Sequence, residues 1–137
     1  MSSITVWFIR FAIIYFLAAI LLGLHMSIAG PVYPWMPIHT HFNLLGWMSM
    51  MIYGVAYHIL PRFSGRPLYS DPLAKAQLWL ANIGLIGMAA GWVIRNDSGE
   101  MATLAIFSVV EAISIVFFAT NMLMTVKAAP PPPAPPK

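Results

Sequence analysis

The chain has 137 residues, of which 60% are hydrophobic and 8% are charged. Soluble domains contain about 25% charged and 45–50% apolar residues, so this composition excludes an ordinary water-soluble enzyme. Cysteine is absent, which excludes disulfides, thiolate metal sites and cysteine nucleophiles. The net charge of +3 comes from seven Lys and Arg residues scattered between apolar runs, a pattern that indicates membrane orientation and not nucleic-acid binding.

Four apolar runs of membrane-spanning length follow one another along the chain, since a bilayer span needs about 20 apolar residues. They predict one domain, residues 1–127, with spans at residues 4–28, 38–60, 73–94 and 101–126. The first run is roughly twice as long as the 7–15-residue core of a signal peptide, so we interpret it as a span. The sequence therefore predicts an all-α integral membrane protein with four transmembrane helices.

Proline-rich segments separate or follow these runs. Residues 30–37 contain three prolines together with Tyr33 and Trp35, which predicts a short interfacial loop that cannot continue a helix. The second run is predicted to end at Pro61. Residues 128–137 form an Ala-Pro tail, which we expect to be disordered and extended.

The basic residues predict the orientation. Arg62, Arg66 and Lys75 flank the second loop and Lys127 follows the last span, whereas the first loop carries no charge. Basic loops stay on the cytoplasmic side. We therefore expect both termini in the cytoplasm of a bacterium, with the spans in its inner membrane and the first and third loops in the periplasm.

Three of the four histidines, His25, His39 and His41, are predicted to lie together at the outer membrane face, because the first span ends there and the second begins. Ionisable groups within a bilayer are costly and often functional. Side chains two positions apart on an α-helix point about 200° away from each other, so His39 and His41 do not readily bind one metal. His25 by itself is equally well explained as an interfacial histidine bonded to the backbone.

The two histidines of the pair lie on different helical faces. The His39 face continues through Asn43, Gly46, Met50 and Gly54. Its glycines would admit either a flat macrocycle or a neighbouring helix. The His41 face continues through Leu45, Met48, Ile52 and Val55. This apolar surface could lie against a porphyrin or against other helices.

The segment His-Thr-His-Phe-Asn-Leu-Leu-Gly-Trp at residues 39–47, continued by Gly-Val-Ala-Tyr-His-Ile-Leu-Pro at residues 54–61, resembles the histidine-bearing helices of subunit I in the heme–copper oxidase and nitric oxide reductase superfamily. It is similar in particular to small four-span relatives with a His-x-His-x-Asn-Leu-Leu-Gly-Trp motif. In that superfamily three arcs of four helices form the subunit, and one helix carries a His-x-His pair that binds two hemes on its opposite faces. The chain looks like one such arc.

This resemblance implies a membrane heme b protein that transfers electrons or senses redox state or a gas. The implied metal ligands are His39, His41 and His25, and Asn43 and Gly46 are further cofactor contacts. Arg95 or Trp35 could receive the heme propionates. The other eight helices of the family, with its copper site, have no counterpart here. An oxidoreductase activity on oxygen or nitric oxide would need an open iron position.

A single arc also implies several copies. Three copies would recreate the twelve-helix arrangement, so we expect a symmetric homo-oligomer, a trimer, associated with other respiratory-chain components. A heme between copies would have His39 of one chain and His41 of the next as axial ligands; a simpler hypothesis uses His25 and His41 of one chain. Two imidazoles leave no open iron position, which suits electron transfer.

Two alternatives follow from the residues. His25, Met26, Met36 and His39 place imidazole and thioether groups at one surface, which would suit copper(I) in a copper-handling or assembly protein. A cofactor-free accessory subunit of a respiratory oxidase would need only the four spans.

Glu111 lies near the middle of the last predicted span, where an unpaired carboxylate is expensive. It is either a proton-handling group or a protonated acid bonded to Ser108, Ser114 or Asn82. The second interpretation is favoured, because no chain of polar neighbours is visible in the sequence.

Overall fold

The computed structural model describes residues 1–30 and 33–127, and within these residues it contains four long helices and no strand. We name them α1 (Ser3–Ala29), α2 (Trp35–Phe63), α3 (Asp71–Ser98) and α4 (Ala102–Thr125). All four are long and apolar enough to cross a membrane, which confirms the all-α, four-span prediction. The tail predicted to be disordered, residues 128–137, lies outside the described residues.

Local capping determines where α1 and α3 begin and end. The hydroxyl groups of Ser2 and Ser70 each accept a hydrogen bond of 3.2 Å from a backbone N–H in the first turn of the helix that follows. Gly30 and Gly99 follow the last residues of α1 and α3 with φ angles of 79° and 76°. Glycine adopts this backbone conformation without steric penalty, so it ends both helices cleanly.

The second helix is longer than predicted. It begins at Trp35 with Pro37 in its first turn and continues through Pro61 to Phe63, whereas the sequence predicted residues 38–60 and a loop up to Pro37. A proline lacks its own N–H, which a residue in the first turn does not need. Pro61 removes one hydrogen bond close to the end of the helix, so the last turn still forms.

The middle of α2 is a π-helix over Phe42–Ser49, where the sequence predicted a regular α-helix. Its hydrogen bonds join residues five apart, and the Ser49 hydroxyl donates to the Leu44 carbonyl at 2.8 Å in the same spacing. The histidine pair precedes this segment, in the α-helical part Trp35–His41. The angle predicted between His39 and His41 therefore still applies.

Small residues bring the helices together in two close pairs. A Cβ on Gly46 of α2 would lie 2.6 Å from the side chain of Tyr15 in α1, and a Cβ on Gly91 of α3 would lie 2.7 Å from Cα of Leu104 in α4. Glycine at such contacts lets backbones approach closely inside a membrane. Of the two uses that the sequence left open for Gly46, the structure shows packing against a neighbouring helix.

The two ends of the bundle are distinct, and we name them by their residues. The outer end contains the last turns of α1 and α3 and the first turns of α2 and α4, with the histidine pair. The inner end contains the first turns of α1 and α3, the last turns of α2 and α4, and residues 64–70. The predicted orientation would put the inner end in the cytoplasm.

Candidate functional site

The imidazole of His39 is held between α2 and α1. Its Nδ1 atom donates to the carbonyl oxygen of Ala19 at 2.8 Å, because a carbonyl can only accept. Nε2 is therefore the acceptor, and the Asn43 amide nitrogen lies 3.3 Å from it and 3.0 Å from the His39 carbonyl. Gly23 leaves space for the ring, since a Cβ there would lie 3.0 Å from His39 Cε1. Asn43 thus contacts a predicted ligand, whereas no sequence pattern marked Gly23.

His41 faces a different helix, α3. Its Nδ1 atom donates to the carbonyl oxygen of Pro37 at 2.7 Å, so Nε2 carries the lone pair. In the described part of the chain, Nε2 of His41 has no hydrogen-bond partner. The centre of its ring lies 6.1 Å from the centre of the Trp92 ring. The two histidines therefore contact different neighbours, as expected for side chains two positions apart on a helix.

Trp92 joins His41 to an aromatic and basic cluster at the outer end. Its ring centre lies 6.1 Å from that of Tyr33 and 5.5 Å from the guanidinium carbon of Arg95. Its Nε1 atom is buried, and within residues 1–30 and 33–127 it has no hydrogen-bond partner. A buried donor left unpaired costs about 1–3 kcal/mol, so an acceptor placed at this N–H would be stabilising. Sequence reasoning identified Arg95 but missed Trp92, because its partners come from two other segments.

The other two histidines do not join this cluster. His25 is exposed near the end of α1, and its ring packs edge-on against Trp35 with centres 5.9 Å apart. His58 lies at the inner end, where its Nε2 accepts a hydrogen bond of 2.9 Å from Arg62. Among the residues that the structure describes, no three His, Cys, Asp or Glu side chains form a group that could hold a metal. The structure thus brings His41, Trp92 and Arg95 together and leaves His25 apart.

Glu111 is a second feature, separate from the histidines and buried inside the bundle. It is 4% exposed, and a Cβ on Gly84 of α3 would lie 2.8 Å from its Oε2 atom. Two of its three expected partners, Asn82 and Ser108, make hydrogen bonds to other groups. Oε2 of Glu111 and Oγ of Ser114 have no partner in the described residues. The expected hydrogen bond from Glu111 to one of these side chains is therefore not formed.

These observations define a multi-pass membrane protein with potential cofactor ligands at one end of a four-helix bundle. Three curated proteins are similar to it. In an alignment of 128 positions that covers 71% of its length, the chain is 30% identical to the Cbb3-type cytochrome c oxidase subunit CcoN1 of Stutzerimonas stutzeri. In an alignment of 69 positions that covers 49% of its length, it is 41% identical to cytochrome c oxidase subunit 1 of Rhodobacter capsulatus. In an alignment of 57 positions that covers 41% of its length, it is 39% identical to a cytochrome c oxidase subunit 1 homolog of Agrobacterium tumefaciens strain T37.

The matches cover only part of each of these proteins. They span 26%, 13% and 11% of the three relatives, in the same order. No family model matches the chain, and no solved structure matches it at a significant level. The chain is a partial relative of heme–copper oxidase subunit I, which confirms the resemblance carried by the histidine motif.

The outer cluster contains the kinds of group that bind a heme, namely an imidazole nitrogen for the iron and donors for the propionates. A neutral imidazole whose Nδ1–H is bonded to a carbonyl presents Nε2 to a metal, which is the arrangement in His41. The Nε1–H of Trp92, which has no partner in the described part of the chain, and the guanidinium of Arg95 are the kinds of donor that bind a carboxylate such as a propionate. The residues present thus include an imidazole nitrogen of the kind that binds iron, together with anion-binding donors in the same cluster.

Proposed function

We propose that this chain is a membrane heme b protein in which Nε2 of His41 is an axial ligand. The observation that carries this proposal is the juxtaposition of His41 and Trp92, whose ring centres lie 6.1 Å apart and whose Nε2 and buried Nε1–H have no partner among residues 1–30 and 33–127. Bound heme would supply one-electron transfer, or gas binding if one iron position stays open. Its place would be the periplasmic face of a bacterial inner membrane.

The surrounding residues orient this ligand. The Pro37 carbonyl fixes the tautomer and the plane of the His41 ring and increases the basicity of Nε2. Trp92 and Arg95 would bind the propionates and hold the macrocycle at the outer end. The partial relation to cytochrome c oxidase subunits supports an electron-transfer role among respiratory-chain components.

The second axial ligand is proposed to come from another copy of the chain. His39 is turned toward α1 and His41 toward α3, so one chain offers one imidazole on each side of α2. Beyond His41 the same helix exposes Met48, Ile52 and Val55, which are 51%, 54% and 41% exposed. A symmetric trimer would cover this apolar face and bring His39 of one chain toward His41 of the next. To bind the iron, Nε2 of His39 would exchange its hydrogen bond from the Asn43 amide for the metal.

An optical spectrum of the detergent-purified protein tests the proposal. We expect a Soret band, about one heme per chain by pyridine hemochrome, and no shift with carbon monoxide if two imidazoles bind the iron. A carbon monoxide shift would instead indicate the five-coordinate, gas-binding form. His41→Ala should abolish the wild-type spectrum, whereas His58→Ala removes a histidine at the opposite end and should preserve it.

Two outcomes would refute the heme proposal. One is a folded protein without a Soret band after expression with added heme precursor. The other is a His41→Ala variant whose heme content and spectrum equal those of the wild type. A colourless protein that binds copper(I) would favour the copper-handling alternative, and one that binds neither would favour an accessory subunit.

A further inference from the structure

A groove opens between α1 and α3, because these two helices belong to different close pairs. Three cavities form it, with volumes of about 600 Å³ at the outer end, 500 Å³ in the middle and 410 Å³ at the inner end. Phe11 and Trp79 line both the inner and the middle cavity, and Ile86 lines both the middle and the outer one. The three cavities therefore adjoin one another along the bundle.

The wall of the middle cavity presents carbon atoms, although it includes two polar residues. The Tyr15 hydroxyl donates to Oδ1 of Asn82 at 3.0 Å, and the Asn82 amide nitrogen donates to the Leu78 carbonyl at 2.7 Å. These hydrogen-bonding groups are thus used inside the protein. The same cavity is lined by Ile83 and Ile86, which are 50% and 58% exposed. Such a wall suits a hydrocarbon chain and offers nothing to a polar ligand.

The inner cavity differs, because its wall includes a cation. Lys75 lines it together with Ser3 and the indole rings of Trp7 and Trp79. Arg10 adds a second cation beside it, since its guanidinium carbon lies 5.2 Å from the centre of the Trp7 ring. Indole rings and basic side chains are enriched where the hydrocarbon of a membrane meets the headgroups. The inner cavity therefore combines an apolar interior with positive charge at headgroup level.

No carboxylate lines this groove. None of the described residues around the three cavities is acidic, and the middle and outer cavities have no charged side chain of either sign among them. Asp71, one turn before Lys75, lines a separate cavity with His58 and Arg62. The described groove is thus positive at its inner end and uncharged elsewhere, which favours an anionic group at that end.

The inner and middle cavities together match one leaflet of a bilayer in length. Lys75 and Ile86 are eleven residues apart on α3, which is about 16 Å along the helix axis. The hydrocarbon core of a bilayer is about 30 Å thick, so one leaflet contributes about 15 Å. An acyl chain whose headgroup lies at Lys75 would therefore end near Ile86.

We propose that the inner half of this groove binds one anionic phospholipid. The phosphate pairs with Lys75 and Arg10, the rings of Trp7 and Trp79 flank the glycerol region, and an acyl chain lies between α1 and α3 as far as Ile86. A zwitterionic lipid has the same chains but carries its own cation, so it gains less at this end. The site does not depend on heme, whose proposed ligands lie at the outer end.

Native mass spectrometry of the full chain, in detergent with equimolar phosphatidylglycerol and phosphatidylcholine of identical acyl chains, tests the choice of lipid. We expect the phosphatidylglycerol adduct to predominate. Lys75→Gln should reduce this preference by about fivefold, equivalent to about 1 kcal/mol for one basic side chain at an anionic headgroup. Lys75→Arg should retain it. Arg66→Gln is the matched control, because it removes a cation from the second loop, outside the three cavities, and should leave the preference unchanged.

Three outcomes would overturn the choice of lipid. The first is equal binding of the two lipids by the wild type. The second is an equal loss of preference in Lys75→Gln and Arg66→Gln, which would indicate a general attraction to the basic end of the protein. The third is a chain, or an oligomer of it, that carries no lipid.

A substitution that fills the groove tests where the lipid lies. Ile83→Trp places a larger side chain in the middle cavity and should abolish the phosphatidylglycerol adduct. Ile113→Trp is the control, because Ile113 is exposed on α4, lines none of the three cavities and should keep the adduct. Both sites are on the lipid-facing surface, and circular dichroism checks that both variants are helical. An adduct that persists in Ile83→Trp, or disappears from both variants, would refute this location. The same preference is expected with and without heme, so failure here is distinct from failure of the proposed function.

Discussion

The contact between α3 and α4 gives a sharp test of the helix packing, at Gly91. In Gly91→Ala, the new Cβ would lie 2.7 Å from Cα of Leu104 and 2.8 Å from its backbone nitrogen. Ordinary contact begins at 3.4 Å, so the shorter distance falls about 0.7 Å short. The obstructing atoms are backbone and cannot rotate away. The two helices must therefore separate locally by a similar distance.

This separation can be converted into a free energy. A gap of 0.5–1 Å removes about a quarter to a half of the attractive energy of each dispersion contact. With about 40 atom pairs of ~0.15 kcal/mol each, the total loss is about 2 kcal/mol. Alanine recovers up to about 1 kcal/mol of helix propensity relative to glycine. We therefore expect Gly91→Ala to lower the free energy of unfolding by about 1–2 kcal/mol, within the range for overpacked cores.

Reversible unfolding in SDS, followed by circular dichroism, measures this change. Ala105→Leu is the control, because Ala105 is exposed on α4 and a larger side chain there meets only lipid or detergent. It should leave the unfolding free energy within about 0.5 kcal/mol of the wild type, as surface substitutions usually do. A Gly91→Ala protein as stable as the wild type would show that α3 and α4 are not packed as closely as described.

Two further predictions concern single hydrogen-bonding groups. Tyr57→Phe keeps the ring but removes the donor to Gln77, so we expect the free energy of unfolding to fall by about 0.6–1.7 kcal/mol in the same SDS assay. Tyr33→Phe is the control, because the Tyr33 ring is exposed and the free energy of unfolding should change little. An unchanged Tyr57→Phe protein would exclude this bond. Hydrogen bonds from Thr103 lower the pKa of Glu100. The Glu100 carboxylate therefore stabilises the folded state fully above the ordinary glutamate pKa of about 4.3. This stabilisation is lost as the pH falls through the lower pKa of the folded state. The difference in unfolding free energy between wild type and Glu100→Gln should therefore shrink in acid, and a constant difference from neutral to acidic pH would contradict this assignment.

Much of the fold could be predicted because it depends on local composition. Four runs of apolar residues already require four helices in a bilayer, since only helices of this kind satisfy their own backbone groups there. Serine before α1 and α3 and glycine after them mark helix ends through contacts within one turn. The direction of His39 relative to His41 also follows from the helix geometry of a three-residue segment.

The site itself could be predicted only in part. The motif identified His39, His41 and Asn43, and the contact between His39 and Asn43 is local, four residues apart. The hydrogen bond from His39 to Ala19 and the contact of His41 with Trp92 join positions 20 and 51 residues apart. Such contacts depend on which faces of two helices meet, which periodicity within one helix does not specify.

The amino-acid pattern was sufficient for the number of spans and the relation to oxidase subunit I, because hydropathy and a short motif are properties of contiguous residues. The structure was needed for the π-helix in α2, for the buried N–H of Trp92 without a partner in the described residues, and for the burial of Glu111. The surroundings of Trp92 and Glu111 depend on which side chains of separate helices meet. Glu111 shows the difference most clearly: the sequence contains one carboxyl group in an apolar run, and the structure buries it against Gly84 of α3 with no hydrogen-bond partner for its Oε2 atom among the described residues.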